Sequence, residues 1–149
     1  MGSTNRTTYA ILGLLAQGPR SGYDIKAEAE ETLGHFWHES YGHIYPVLKR
    51  LHEHGLADRR KEVQEGRPDR IVYSITEDGR AELEAWIAEP VERVPPRNEL
   101  LLKIFFGELT DPGTLAEVVR RYRENHAASL EALEEVERAL EDTGDDDLE

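Results

Sequence analysis

The period of the hydrophobic pattern changes at Gly55, and this change restricts the fold more than any other feature of the sequence. Before Gly55, apolar residues recur every three or four positions, as they do in amphipathic helices. After it, "ADRRKEV" and "RIVYSIT" alternate as strands do, with Ile71, Tyr73 and Ile75 on one face. The segment "QEGRPD" between them supplies turn residues. The sequence therefore predicts a mainly α fold with a small β-hairpin.

Two helices are expected before a third helix, which carries a cluster of cationic residues. The first, in "TTYAILGLLAQG", has an apolar stripe that stops at Gly18. The second is expected to begin at Ser21, because its hydroxyl can accept from the first turn and Asp24 completes a variant of the capping box. The residues of this helix that are predicted to be buried are Ile25, Ala29 and Leu33.

The third helix lies in "YGHIYPVLKRLHEHGL" and is amphipathic. Its core face is formed by Ile44, Val47, Leu48 and Leu51. The residues on the opposite side and its flanks are Gly42, His43, Tyr45, Pro46, Lys49 and Arg50. Gly55 occupies the position of a left-handed C-terminal cap. The helix therefore offers its N-terminal half, which has little bulk at Gly42, to a large partner.

Charge is distributed unevenly along a chain whose formal net charge is -13. Residues 1–80 contain 11 Lys and Arg against 12 Asp and Glu, whereas residues 81–149 contain 7 against 19. Within the first part, residues 40–73 contain seven cations and five acids. A modest cationic patch on an acidic body suits a protein that contacts a polyanion with one surface only.

These features together outline a winged helix-turn-helix. In that fold the third helix enters the major groove of DNA, and the tip of the hairpin reaches phosphates or the adjacent minor groove. Arg67 stands at the predicted tip.

The order of four motifs resembles the PadR family of bacterial and archaeal transcriptional regulators. The motifs are "ILGLLAQGPRSGYDI", "FWHESYGHIYPVLKRLHEHGL", "GRPDRIVYSITEDGRAEL" and "LLLKIFFGEL". The resemblance implies a winged-helix domain, a helical C-terminal part that dimerises, and repression that a small ligand relieves. By motif match it also implies functional positions at Ser40, Gly42, Ile44, Tyr45, Pro46, Leu48, Leu51, Gly66, Arg67 and Pro68.

We therefore predict a sequence-specific regulator that binds a pseudo-palindromic operator in double-stranded DNA as a homodimer. The predicted DNA-binding residues are Ser40, Gly42, His43, Tyr45, Lys49, Arg50, Arg67 and Arg70. The four Lys and Arg side chains are expected to neutralise phosphates, Tyr45 to give a hydroxyl to a phosphate, and His43 and Lys49 to reach base edges. The alternative for these cations is a solvated helix face and a hairpin made soluble by its charges.

The second half of the sequence favours an oligomer. Thr76 is expected to cap a helix that ends at Pro90, and "RVPPRN" is a stiff linker. The segment "ELLLKIFF" is apolar on nearly every side and must be buried, so it points to a partner subunit. Asp111 then caps a long helix whose heptad seam extends about 39 Å at the standard helical rise.

The members of that seam are Leu115, Val119, Tyr122, His126, Ser129, Leu133, Val136 and Leu140. The predicted dimer interface consists of Leu101, Ile104, Phe105, Val119, Tyr122, His126, Leu133 and Val136. His126 and Ser129 could fix the register of packed helices, or the segment could simply face solvent. The predicted domains are a winged helix at 1–89, a dimerisation domain at 90–142 and an acidic tail at 143–149.

Two tryptophans are candidates for an effector site. Trp37 and Trp86 are most simply core or interface aromatics. The more specific hypothesis is that Trp86 and the same residue of the second subunit line an apolar site for a planar ligand.

Other functional classes fit the sequence less well. There is no cysteine, and the six histidines form no zinc-binding motif, so no metal and no cofactor are expected. A catalytic motif is also missing, which argues against an enzyme. Two alternatives remain open: a protein-interaction module with a degenerate winged helix, and a metal- or pH-responsive regulator that uses its histidines. Without a signal-peptide pattern or a long apolar run, a cytoplasmic protein with no membrane partner is expected.

Overall fold

A computed structural model describes residues 2–37, 43–92 and 98–146. Their contacts divide the chain into two compact units, Met1–Val91 and Glu92–Glu149. Among these described residues, unit 1 contains four α-helices and a small antiparallel sheet, and unit 2 is helical, so the predicted fold class is confirmed.

Unit 1 begins with helix α1, Gly2–Ala16, followed by strand β1, Arg20–Ser21, and helix α2, Gly22–Glu28, which continues as a π-helical turn, Ala29–Leu33. Helix α3 is Ile44–Glu53, strands β2 and β3 are Ala57–Glu62 and Arg70–Ile75, and helix α4 is Glu77–Ile87. The largest fully buried side chains come from α1, α2 and α3: Ile11, Leu12, Leu15, Ile25, Ile44, Leu48 and Leu51. The core therefore lies among the three helices, and the predicted core face of α3 is confirmed.

Local capping signals of the sequence have the predicted effect at both α2 and α3. The Ser21 hydroxyl accepts from the Asp24 amide at 3.2 Å, and the Asp24 carboxylate accepts from the Ser21 amide at 3.3 Å, which is a complete capping box. At the end of α3, Gly55 has φ +71°, the Leu56 amide donates to Leu51 O at 2.8 Å, and the Gly55 amide donates to His52 O at 3.1 Å. These two bonds define a Schellman motif.

The sheet has three strands in the order β1-β3-β2, so the predicted hairpin gains a strand. Arg20 and Ser21 pair with Tyr73 and Val72. Ile71, Tyr73 and Ile75 share one face of β3, as predicted, but their burial differs. Ile71 is 45% exposed, whereas Tyr73 is 6% exposed and Val72 on the opposite face is 3% exposed. β3 is the central strand, and β1 pairs with it only at Val72 and Tyr73, so Ile71 lies beyond the three-stranded part of the sheet.

Helix α4 is capped and packed within unit 1. The Thr76 hydroxyl accepts from the Gly79 amide at 3.0 Å, as predicted, and Leu83 is buried. The indole of Trp86 stacks on the ring of Tyr9 in α1, with centroids 4.6 Å apart and planes 9° apart. This stack and Leu83 attach α4 to α1.

Unit 2 contains helix α5, Glu99–Phe105, a 3-10 turn, Gly107–Leu109, and the long helix α6, Pro112–Asp146. The Asn98 side chain accepts from the Leu101 amide at 3.2 Å and caps α5. Asp111 caps α6 by accepting from the Thr114 amide at 3.0 Å. Hydrogen bonds from Thr114 hold the pKa of Asp111 below its ordinary value. Helix α6 includes the first four residues of the segment predicted to be an acidic tail.

Candidate nucleic-acid interface

The outer face of α3 is exposed along the helix. Tyr45, Pro46, Lys49 and Arg50 are all exposed, as is His43 immediately before the helix. Ser40 and Gly42, also predicted to contact DNA, lie outside the described residues. Since the opposite face of α3 fills the core, this helix is fixed in unit 1 while its polar face remains accessible.

Strands β2 and β3 with the turn between them form the wing, defined here as Ala57–Ile75. The turn is tight at Gly66, whose φ of +70° is a backbone conformation that glycine adopts without strain. Arg67 follows directly and is exposed at the tip, as predicted. Arg70 is the first residue of β3, the strand that leads from the turn back into the sheet.

Several cations of this region already have acidic partners. Lys49 lies 3.8 Å from Glu53 one turn along α3. Within the wing, Arg60 is paired with Glu62 at 2.9 Å, and Lys61 with Asp69 at 2.9 Å. An exposed pair such as Lys49–Glu53 is weak in water and can exchange its partner for a phosphate.

Arg70 has two acidic partners and is the most constrained of these cations. Its Nε donates to Glu62 Oε2 at 2.8 Å, and its Nη1 lies 3.6 Å from Asp24 Oδ2. The hydrogen bond from Arg70, followed by that from Arg60, lowers the pKa of Glu62. The bond to Glu62 likewise raises the pKa of Arg70. Two carboxylates therefore already contact the Arg70 guanidinium, and a phosphate would have to compete with them for it.

Three arginines of α3 and the wing have no ion pair within residues 2–37, 43–92 and 98–146: Arg50, Arg59 and Arg67. All three are exposed. Arg50 and Arg67 are predicted site residues, but Arg59 is not. Its position in the basic strip "DRRKEV" gave a signal, yet the sequence does not distinguish Arg59 from its paired neighbours Arg60 and Lys61.

Tyr45 packs against the start of α2. A Cβ atom added to Gly22 would lie 2.7 Å from Tyr45 Cε1, so the tyrosine ring occupies the space that the missing side chain leaves. Tyr45 is nevertheless 62% exposed, and its ring therefore lies on the surface between α2 and the outer face of α3.

A family model described as "Transcriptional regulator PadR-like family" matches residues 11–85, half of the chain. The chain belongs to the PadR-like family of transcriptional regulators. Proteins of this family are regulators and not enzymes. A second model, described as "Virulence activator alpha C-term", matches residues 96–148. The resemblance stated from the sequence motifs is therefore confirmed.

Individual relatives agree with this assignment. The negative transcriptional regulator PadR of Bacillus subtilis is 38% identical over 100 residues, which are 66% of this chain and 54% of that protein. The crystal structure of Bacillus subtilis PadR with operator DNA has a TM-score of 0.57 at 36% identity, covering 70% of this chain and 59% of that one. A structure of the same regulator with p-coumaric acid has a TM-score of 0.61 at 29% identity, covering 90% and 71%. The chain spans about half the length of the curated relatives that it matches.

The tryptophans predicted to bind an effector in this PadR-like chain both lie in unit 1. Trp37 is partly buried against the core cluster. Trp86 is 37% exposed and has one face on Tyr9, whose hydroxyl donates to Glu82 Oε1 at 3.0 Å. Burial, together with Glu82, raises the pKa of Tyr9. A ligand that stacked on the covered face of Trp86 would have to displace Tyr9.

The predicted dimer residues of unit 2 are exposed in the single chain. On α5 these are Leu101, Ile104 and Phe105, and on α6 they are Val119, Tyr122, His126, Leu133 and Val136. His126 stacks on Tyr122 with centroids 3.8 Å apart, and the Ser129 hydroxyl donates to Asn125 O on its own helix at 3.1 Å. An open cleft of about 570 Å³ lies between α5 and α6, lined in part by Lys103, Tyr122 and Asn125.

Within the described part of the chain, the metal-responsive alternative gains no structural feature. The described residues contain no group of three or more acidic or histidine side chains arranged to hold a metal ion. His52 and His54 instead place Nδ1 near Ala57 O at 3.1 Å and Arg50 O at 2.7 Å. Among the helices described, none combines the length and apolar character needed to cross a bilayer.

Proposed function

We propose that this PadR-like chain is a sequence-specific, DNA-binding transcriptional repressor. Two copies form a homodimer through α5 and α6 and place both α3 helices in successive major grooves of a pseudo-palindromic operator. Lys49, Arg50 and Arg67 neutralise phosphates, and His43 and Lys49 reach base edges. As a protein that acts on chromosomal DNA, it works in the cytoplasm.

The observation that carries this proposal is the location of the unpaired arginines. Arg50 on α3 and Arg59 and Arg67 on the wing are exposed and have no acidic partner within the described residues. An unpaired guanidinium can bind a phosphate without first breaking an ion pair, so these residues are the ones whose binding releases counterions from DNA most readily. Residues 81–149, with 7 cations against 19 acids, disfavour coating of DNA by the rest of the chain.

The operator complex of Bacillus subtilis PadR supports the same role, because that relative is 36% identical across 70% of this chain. Its complex with p-coumaric acid supports release by a small planar molecule. Trp86 is the proposed contact for such a molecule, since part of its indole remains exposed beside Tyr9. A ligand can shift the protein away from DNA only by the difference between its affinities for the two states.

The first experiment is to recover sheared host DNA with the purified protein at moderate salt and to sequence it. Enrichment of a two-fold symmetric site beside a transcription start supports the proposal. If the folded protein enriches no site, with or without p-coumaric acid, the interaction-module alternative replaces it. The recovered duplex then serves as the probe for affinity measurements.

The second experiment measures operator affinity against salt concentration for Arg50→Ala and Arg67→Ala. Each variant should reduce the slope of log K against log salt by about 0.9 per phosphate contact, and hence by about 1.8 in a dimer. Arg138→Ala on α6 removes the same charge outside the proposed surface and should leave the slope unchanged. An equal reduction by Arg138→Ala would mean that net charge, and not this surface, governs binding.

The effector proposal needs its own variant. In wild-type protein, p-coumaric acid should release the recovered duplex, whereas Trp86→Ala should bind the duplex normally and resist release. If Trp86→Ala is released as readily as wild type, the effector does not depend on this tryptophan.

A further inference from the structure

The first turn of α2 contacts both elements of the proposed DNA-binding surface. Asp24 Oδ2 accepts from the Ser21 amide at 3.3 Å and also lies 3.6 Å from Arg70 Nη1 of the wing. Gly22, in the same turn, lies under the ring of Tyr45 from α3, where a Cβ atom would be 2.7 Å from Tyr45 Cε1. A single helical turn, itself fixed by a capping box, therefore connects the wing to α3.

The outer half of the wing is held mainly by polar contacts. Strand β1 pairs only with Val72 and Tyr73, in the middle of β3. Beyond that point Ile71 is 45% exposed and Val63 is 80% exposed, so apolar packing does not fix the direction of the tip. A two-stranded ribbon of this kind twists and bends easily unless other groups hold it.

The ion pairs of the outer wing differ in what they join. Arg60–Glu62 and Lys61–Asp69 stay within the wing, whereas Arg70 bridges Glu62 on the neighbouring strand and Asp24 on α2. A guanidinium is planar and presents donors along two edges, so it can hold two carboxylates in a fixed relative orientation. Arg70 thus attaches the wing to the turn that also packs against Tyr45.

We propose that Arg70 is a positioning residue that, through Asp24, sets the direction of the wing relative to α3. This inference rests on the proposed DNA-binding function and changes the role of one predicted residue: Arg70 presents Arg67 to the DNA and does not itself neutralise a phosphate. Because exposed ion pairs contribute little to folding, the loss of Arg70 leaves the protein folded but frees the wing tip. The correct spacing between α3 and Arg67 is then populated only part of the time, which weakens binding.

Glu62→Gln separates positioning from direct phosphate contact. If Arg70 binds phosphate, removal of its carboxylate partner adds positive charge, frees Arg70 and tightens operator binding. If Arg70 positions the wing, the same change loosens the bridge, and binding weakens by roughly three- to tenfold, a partial loss at about 0.1 M salt of the Arg67 phosphate contact in each of the two subunits. Unchanged or tighter binding by Glu62→Gln overturns the proposal.

A double-mutant cycle tests whether Arg70 acts through Arg67. Arg67→Ala and Arg70→Ala should each weaken operator binding by at least about tenfold, and the double variant should bind no more weakly than the worse of the two. Additive losses indicate two independent contacts and contradict the proposal. Arg60→Ala is the matched control, because Arg60 also pairs with Glu62 but is not joined to Asp24.

Hydrogen exchange of the DNA-free protein decides the question even if no operator exists. Arg70→Ala should speed amide exchange in residues 60–71 while α1 and α3 stay as in wild type, and Arg60→Ala should change neither. Arg70→Lys, which keeps one point charge but not the two-edged geometry, should restore part of the protection. Unchanged exchange in the wing, or an equal increase throughout unit 1, overturns the positioning role. Failure to recover any operator instead overturns the proposed function.

Discussion

At the scale of single residues, the contact between Gly22 and Tyr45 gives a direct test of the geometry of α3. We expect Gly22→Ala to displace the Tyr45 ring, because the new methyl group would lie 2.7 Å from Cε1. Since Tyr45 is largely exposed, the ring can swing away without opening the core. Alanine also favours the first turn of a helix more than glycine does, so thermal stability should be unchanged or slightly higher.

Operator affinity should nevertheless fall by at least about tenfold in Gly22→Ala, because a hydrogen bond to a charged phosphate contributes about 1.5–3 kcal/mol and each of the two subunits would lose one. The measurement is operator binding beside a melting curve, with Tyr45→Phe as the companion variant. Tyr45→Phe keeps the packing on Gly22 and removes only the hydroxyl. If Gly22→Ala binds as wild type does, the ring position does not matter for DNA.

At the scale of elements, the two glycines Gly13 and Gly55 should respond to alanine with opposite signs. Gly55 ends α3 with φ +71°, and Gly13 lies within α1, and a Cβ atom added to either meets nothing within 4 Å. The effects are therefore conformational and not steric. Gly55→Ala should lower the free energy of unfolding by about 1 kcal/mol, and Gly13→Ala should raise it by about 0.5–1 kcal/mol.

Urea unfolding followed by circular dichroism measures both changes, and each variant serves as the control of the other. If Gly55→Ala is as stable as wild type, the left-handed end of α3 is not required. The Schellman bonds would then have to re-form around a different backbone conformation.

The sequence predicted those features of each element that depend on neighbours in the chain. The capping box of α2, the core face of α3 and the left-handed Gly55 all depend on residues within about two turns, so their patterns are visible without tertiary information. Strand β1 was missed because its two residues, Arg20 and Ser21, are too few to show a period.

The partners of the cations could not be predicted in this way. Arg70 contacts Asp24, which is 46 positions earlier in the sequence, only because β1 brings the start of α2 beside β3. Arg59 is unpaired within the described residues although Arg60 and Lys61 beside it are paired, and this difference likewise depends on where the wing places each acid. Position and charge in the sequence therefore suffice to propose these cations as site residues, whereas a positioning role for one of them can be proposed only from its contacts.

At the scale of the whole molecule, the exposed apolar residues of unit 2 predict that α6 pairs two chains. Leu133 is 67% exposed in the single chain and lies on the predicted seam, whereas Ala128 is exposed off the seam. Leu133→Glu should therefore convert a dimer into single chains, because a charge in the seam is buried on pairing. Ala128→Glu adds the same charge to the same helix and should remain dimeric. Light scattering after gel filtration distinguishes the two outcomes.

Operator affinity should depend on whether the protein is a dimer. Two α3 helices held by one dimer bind half-sites about 34 Å apart, so the wild type should protect two patches separated by one turn of DNA. Leu133→Glu loses the linkage between the two half-sites, and its affinity for the full operator should fall about a hundredfold or more while single half-sites are bound as before. If Leu133→Glu stays dimeric, or binds the full operator as Ala128→Glu does, α6 is not the element that joins the chains. The acidic unit 2 would then need another explanation for its exposed leucines and phenylalanines.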